Sequence, residues 1–217
     1  MNRNTVILDL DGTLLNTLPD ITSAANRALS LTGLPVWEED AYRYFVGDGV
    51  FNLCRRAAGE HPEAADRVAE LYMPWYHEHS REKTCPYPGI PEALRKLKSA
   101  GMKLAVFTNK DQPDAEDVLA FYFPDIRFDY IHGRRENVPI KPDPAAVFTI
   151  MDALHTVPAR CCYAGDTATD MKCALNAGIS PIGVLWGFRT KEELEANGAG
   201  ALASTPEEMV RLILEEA

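Results

Sequence analysis

Short apolar runs along this chain alternate with stretches whose apolar residues return every three or four positions. The runs have the length and composition of strands, and the longer spacing is that of amphipathic helices. Thr5–Leu8 predicts a first strand. Ile21, Ala25, Ala28 and Leu29 predict a helix from about Pro19 to Thr32, closed by Gly33 and Pro35. The next stretch predicts helices only: Glu38–Phe45, Val50–Ala58 and Glu63–His79, with a turn at Gly47-Asp48-Gly49 and a kink or break at Pro74. Beyond the stiff connector Pro86-Tyr87-Pro88-Gly89-Ile90-Pro91 the alternation resumes. Strands are predicted at Lys103–Phe107, Tyr130-Ile131, Cys161–Ala164 and Pro181–Leu185. Helices are predicted at Pro91–Ala100, Asp114–Phe121, Pro144–Leu154, Asp170–Asn176 and Lys191–Ala196. Thr205-Pro206-Glu207-Glu208 opens the last helix, with Thr at the N-cap, Pro first and Glu third, a capping-box pattern.

Strands that alternate with helices imply a parallel sheet covered on both faces. The expected fold is therefore α/β, with a doubly wound, Rossmann-like core. The helical block over residues 16–84 follows the first strand and is too long for an ordinary connection. It predicts a small inserted helical domain, leaving residues 1–15 and 85–217 for the core.

The first strand breaks abruptly into Asp9-Leu10-Asp11-Gly12-Thr13. Strand side chains alternate, so Asp9 and Asp11 point to one side and Leu10 to the other. Like charges this close repel, and a cation or a shared proton would relieve them. Other strand candidates also end in polar residues. Lys103–Phe107 runs into Thr108-Asn109-Lys110, and Cys161–Ala164 into Gly165-Asp166-Thr167, with Asp170 one turn on. Ile140-Lys141-Pro142 lies just before a helix. In open parallel sheets sites lie beyond the carboxyl ends of the strands, so these groups are expected to converge. Asp9, Asp166 and Asp170 are hard oxygen ligands suited to Mg²⁺, which usually binds a phosphate as well. Thr108 and Asn109 can donate to phosphoryl oxygens, and Lys141 supplies a fixed charge for them. A carboxylate can attack phosphorus only once the phosphate's charge is neutralised, which metal and lysine together would do.

Composition narrows the partners. Hydrophobic residues at 46% and charged residues at 25% are ordinary for a soluble globular protein, and 217 residues suit one domain with a smaller insert. A net charge of −10 disfavours nucleic acid or an anionic membrane as partner, but admits a small anionic substrate beside a local cation. No apolar run reaches membrane-spanning length, and no signal peptide is read at the N-terminus. Cys54, Cys85, Cys161, Cys162 and Cys173 are odd in number and contain no Cys-x-x-Cys, which points to reduced thiols and a cytoplasmic protein. Cys161 and Cys162 read as small core residues.

Asp9-x-Asp11-Gly12-Thr13, Thr108, Lys141 and Gly165-Asp166-x-x-x-Asp170, in this order, resemble the motifs of the haloacid-dehalogenase-like (HAD) hydrolase superfamily. The inserted helices resemble its small C1 cap. Pro19-Asp20, Phe45-Val46-Gly47-Asp48-Gly49 and Tyr87-Pro88-Gly89 are similar to the phosphoglycolate-phosphatase-like subgroup. The resemblance implies that Asp9 forms an aspartyl-phosphate while Asp11 serves as general acid and then base. It implies Mg²⁺ held by the Asp9 carboxylate, the Asp11 backbone carbonyl and Asp166, with Asp170 binding through water or orienting Lys141. Thr108, Asn109 and Lys141 would grip the phosphate. The implied substrate is a small phosphate ester, 2-phosphoglycolate first, with sugar phosphates, nucleotides and pyrophosphate compatible.

Asp11 argues against dehalogenase and phosphonate-hydrolase chemistry, which lack that residue. A β-phosphoglucomutase-like mutase and a non-catalytic binding protein on the same fold remain as alternatives. Asn16-Thr17 departs from the subgroup's usual Asp-Ser at the entrance to the cap. Lys110 reads as a loop charge, and Arg43, Arg55 and Arg56 as solvent-facing residues that could instead meet a substrate carboxylate. Gly47-Asp48-Gly49 reads as a flexible tip, and Trp186-Gly187-Phe188-Arg189 as a candidate lining at a strand end. His77 and His79 do not share a helix face and read as exposed.

Overall fold

Thr5–Leu8 forms β1, and all four of its residues are buried. A strand flanked on both edges and covered on both faces has no side to give to water, so its sequence is continuously apolar. In the computed structural model, which describes residues 3–215, the chain leaves β1 through β2 (Leu15–Asn16) and returns through β3 (Cys85–Pro86). These two short strands pair with each other. Between them lie α1 (Leu18–Leu31), α2 (Glu39–Phe45), α3 (Val50–Ala57) and α4 (Ala65–His79). The main sheet contains β1, β4 (Lys103–Asp111), β5 (Tyr130–Arg134), β6 (Cys161–Gly165), β7 (Ser180–Val184) and β8 (Ala201–Ala203). Its order is β5-β4-β1-β6-β7-β8, with every recorded pair parallel. The chain builds outward from β1 on one side, then crosses to build outward on the other. The ends of β1, β4 and β6 therefore lie together at the topological switch point.

The core helices are α5 (Ile90–Ser99), α6 (Gln112–Tyr122), α7 (Ala145–Ala153), α8 (Ala168–Asn176), α9 (Lys191–Ala196) and α10 (Pro206–Glu215). Strand alternation sorts the core into two layers. Val6, Leu8, Val106 and Ala164 pack with Leu97 of α5, Val118 of α6 and Ile213 of α10. Ile7, Phe107 and Tyr163 pack on the other face with Ile150 of α7 and Ala174 of α8. Cys161 and Cys162 divide between the two layers and are both buried. Burying an aliphatic side chain fully stabilises by about 1.5–3 kcal/mol, so the strand ends are carried on a rigid base.

The packing divides the chain into two compact units, one running up to Leu15 and from Pro86 onward, the other Asn16–Cys85. In the second unit, Asp20 of α1 is buried and its carboxylate accepts the N–H groups of Lys83 at 3.0 Å and Thr84 at 2.8 Å. That ties the returning segment to the first helix. The turn at Gly47-Asp48-Gly49 is held too: Arg56 pairs with Asp48 and donates to the Phe45 carbonyl at 2.9 Å. Arg56 therefore binds its own turn rather than simply facing water. His79 stacks on Trp75 with centroids 3.5 Å apart.

Several elements differ from the sequence expectation, the two-residue strands β2 and β3 among them. α4 passes through Pro74 without a break. Pro74 and Glu70 are both exposed, so water can satisfy the carbonyl that proline leaves without a donor. β4 continues through Thr108-Asn109-Lys110 to Asp111, because β5 supplies a ladder partner at Arg134. β8 was not anticipated; Ala201–Ala203 is too short and too weakly apolar to signal a strand, and its pairing with β7 makes it one.

Candidate active site

β1 ends in a tight reversal. The Asp9 N–H still donates to the Ala164 carbonyl at 2.9 Å, but the next N–H groups to be satisfied turn inward. Thr13, Leu14 and Leu15 all donate to the Leu10 carbonyl, at 3.3, 2.9 and 3.0 Å. Leu10 is buried in the α5 layer, which leaves Asp9 on the opposite side, as strand alternation requires.

Asp9 meets Lys141 there, with Oδ1 2.8 Å from Nζ. Lys141 also donates to Asp170 Oδ1 at 2.7 Å, and all three side chains are almost wholly buried. Lys141 lies in the loop before α7, not on a strand. Asn109, at the end of β4, fixes that loop. Its Oδ1 accepts the Lys141 N–H at 2.9 Å and its Nδ2 donates to the Lys141 carbonyl at 3.4 Å. Asn109 thus engages the lysine backbone with both ends of its amide. Asp170 belongs to the first turn of α8, which begins two residues before the expected start at Asp170. Its Oδ2 accepts the N–H of Thr167 at 3.0 Å and the Thr167 hydroxyl at 2.7 Å in a capping box. One carboxylate therefore caps a helix and anchors a lysine.

Asp166, at the end of β6, accepts the Thr13 hydroxyl at 2.8 Å on Oδ1 and the Phe188 N–H at 2.8 Å on Oδ2. Carboxylate oxygens of Asp9, Asp166 and Asp170 lie within 4.8 Å of one another. Close approach of backbone makes the room. A Cβ on Gly12 would fall 2.3 Å from Asp166 Oδ2, and one on Gly165 would fall 2.4 Å from Asp170 Cγ. A Cβ on Gly187 would meet Asp166 Cβ at 2.2 Å. Gly12 also takes a φ of +86°, which L-residues rarely adopt.

Asp11 stands apart from this cluster. Its two oxygens lie 3.2 and 3.4 Å from Lys110 Nζ, and the Lys110 side chain is only 5% exposed. Lys110 is thus a strand residue with a nearly covered side chain rather than a loop charge. Its N–H also donates to the buried Thr108 hydroxyl at 3.2 Å, which orients that group. The Trp186–Arg189 stretch does line the cluster, through the Phe188 N–H and through the Trp186 indole, which donates to the Thr13 carbonyl at 3.0 Å. Thr13 and Lys110 have site contacts that the sequence did not assign. A threonine immediately after Asp-Gly was the available signal for the first; the second had none.

Three buried carboxylates surround one ammonium here. Burial, with the charge of Asp170, holds Asp9 well above the usual carboxylate range against the pull of Lys141. Burial and the Asp170 charge push Asp166 up to about 7, against the Phe188 and Thr13 donors. Burial alone would lower Lys141, but Asp170 and Asp9 outweigh it and keep it above its ordinary value. Asp9 Oδ1 is buried with no aligned hydrogen-bond donor, although the lysine is near. An excess of buried negative charge and an all-oxygen donor set together fit a divalent cation.

The raised Asp166 has a consequence for stability. Its unfolded value is about 3.9, so between about 4 and 7 the folded state holds a proton that the unfolded state has lost. The metal-free protein is expected to lose up to about 4 kcal/mol as pH rises through that window, with no further loss from this group above it. Scanning calorimetry should show the melting temperature falling from pH 4.5 to 7 (about two to three units, spanning these pKa values). Asp166→Asn should flatten the fall, and a divalent cation should raise the melting temperature more at pH 8 than at pH 5.

A sequence model of the haloacid dehalogenase-like hydrolase family matches residues 6–184. The chain belongs to that family. It is 34% identical over 198 residues to the phosphoglycolate phosphatase of Pseudomonas putida, covering 88% of this chain and 72% of that one. It is 31% identical over 205 residues to that of Psychrobacter arcticus, covering 89% and 88%. The crystal structure of a proposed phosphoglycolate phosphatase from Lactobacillus delbrueckii subsp. bulgaricus superposes with a TM-score of 0.92 at 32% identity, over 99% of each chain. Within the family the chain groups with the phosphoglycolate-phosphatase-like enzymes, and it is a phosphatase. No described helix is long and apolar enough to cross a membrane.

Proposed function

We propose that this chain is a Mg²⁺-dependent phosphatase that hydrolyses a small phosphate monoester, 2-phosphoglycolate foremost, through an aspartyl-phosphate on Asp9. The observation that carries the reading is the buried set of Asp9, Asp166 and Asp170 carboxylates gathered around the Lys141 ammonium. Asp9 attacks phosphorus, and the ester P–O bond breaks as Asp11 gives its proton to the leaving alkoxide. Asp11 then takes a proton from water, whose oxygen attacks the same phosphorus, and the bond to Asp9 breaks to release phosphate. Thr108 and Lys141 hold the phosphoryl oxygens. Asn109 acts through its grip on the Lys141 backbone, and Asp170 through the Lys141 ammonium. The Asp9 carboxylate, the Asp11 carbonyl and Asp166 would hold Mg²⁺, with Asp170 beside them; bound there, the ion neutralises phosphoryl charge. Cap, core and site form the domain plan of residues 16–84 within 1–15 and 85–217. Five free cysteines support a cytoplasmic setting.

The test is phosphate release from a panel of esters that includes 2-phosphoglycolate, sugar phosphates, nucleotides and pyrophosphate, with Mg²⁺ and with EDTA. Mg²⁺-dependent release with 2-phosphoglycolate preferred is expected. Release that EDTA leaves unchanged, or a sugar phosphate that is isomerised rather than hydrolysed, would overturn it.

A further inference from the structure

We infer that Lys110 selects the leaving group, taking esters whose alcohol carries a carboxylate directly on the ester carbon. The inference rests on the phosphatase reading above and deepens it. β4 does not stop at Thr108: it runs on through an irregular stretch to Asp111, which carries Lys110 two residues beyond Thr108. Thr108 and Lys141 serve the phosphoryl oxygens, so a cation beyond Thr108 faces the part of the ester that departs. Its contact with Asp11 says the same thing from the other side. Asp11 is the group that protonates the leaving oxygen, and Lys110 Nζ lies 3.2 and 3.4 Å from its two carboxylate oxygens. A group bonded next to a leaving oxygen held by Asp11 therefore lies near Lys110.

A buried ammonium needs an anionic partner. Asp11 is that partner in this structure, and the Lys110 side chain is 5% exposed. A substrate carboxylate one carbon from the ester oxygen can take the same place. The ammonium then changes partner from Asp11 to substrate, and the Asp11 carboxyl turns to the ester oxygen. An uncharged alcohol offers Lys110 nothing in exchange. In a chain with net charge −10, this lysine also gives a dianionic head with an anionic tail a second local attraction beyond Lys141.

Ethyl phosphate matches 2-phosphoglycolate in the length of its leaving group and lacks only the carboxylate. The experiment compares kcat/KM for these two esters in the wild type and in Lys110→Met, Lys110→Gln and Lys110→Arg, with circular dichroism to confirm folding. Charge-assisted pairs carry about tenfold or more in binding, so the neutral variants should lose at least about tenfold more on 2-phosphoglycolate than on ethyl phosphate, chiefly in KM. Lys110→Arg should recover part of the difference. Equal losses on the two esters would overturn the inference and leave Lys110 as a support for Asp11 alone. So would a wild type that shows no preference between them. If the wild type released phosphate from neither ester nor any other in the panel, the phosphatase reading itself would fall, and this inference with it.

Discussion

Asp9→Asn is expected to lower phosphate release by on the order of 10⁴-fold or more while leaving the protein at least as stable as the wild type. The substitution keeps the shape of the side chain and removes the carboxylate proposed to attack phosphorus. It also removes one of three buried negative charges. Asp9 is held well above the ordinary carboxylate range by burial and by Asp170, so the native site bears a cost for keeping it ionised. Lys141 keeps its 2.7 Å contact with Asp170 when Asp9 is neutralised. Activity and stability should therefore move in opposite directions, the pattern of a residue kept for chemistry rather than for the fold. A colorimetric phosphate assay and a melting curve on the same sample check both halves.

Lys141→Met is expected to damage both. It leaves Asp9 and Asp170 facing each other in a buried site without the ammonium that lies 2.8 and 2.7 Å from them. Breaking a buried pair from one side costs about 3–5 kcal/mol. For a chain of this size that lowers the melting temperature by roughly 10 °C. The cost should be larger at pH 8 than at pH 5, because protonation relieves uncompensated carboxylates. Turnover should fall about 10³-fold or more, as a preorganised charge on the phosphoryl group is lost. Calorimetry at the two pH values, with and without Mg²⁺, separates the stability effect from the catalytic one.

What was legible in the sequence followed one physical rule. Where an apolar run broke abruptly into carboxylates, as at Asp9 and Asp166, the break marked a strand end beside the site; at Thr108-Asn109 it marked the site within β4, which runs on to Asp111. The alternation of side chains then fixed Asp9 opposite Leu10. What was not legible depended on contacts between distant segments. Nothing local shows that Lys110 lies on a strand, because Thr108–Asp111 is polar and its ladder partner is Arg134 in β5. The sequence order of Asp166 and Gly187 gives no sign that a methyl group on the second would collide with the first. Asn109 looked like a phosphate donor by residue type, and its position puts both amide atoms on the backbone of Lys141. Residue type shows what a group can do; its partners decide what it does.

The most direct test of the central claim is to look for phosphate on Asp9. The protein would be mixed with a turned-over ester and Mg²⁺, quenched in acid within the first turnovers, digested, and its peptides weighed. The account predicts one phosphoryl group on the peptide carrying Asp9, removed by hydroxylamine as an acyl phosphate is, and missing from Asp9→Asn. An active enzyme whose Asp9 peptide never carries phosphate, with water attacking the ester directly, would contradict it.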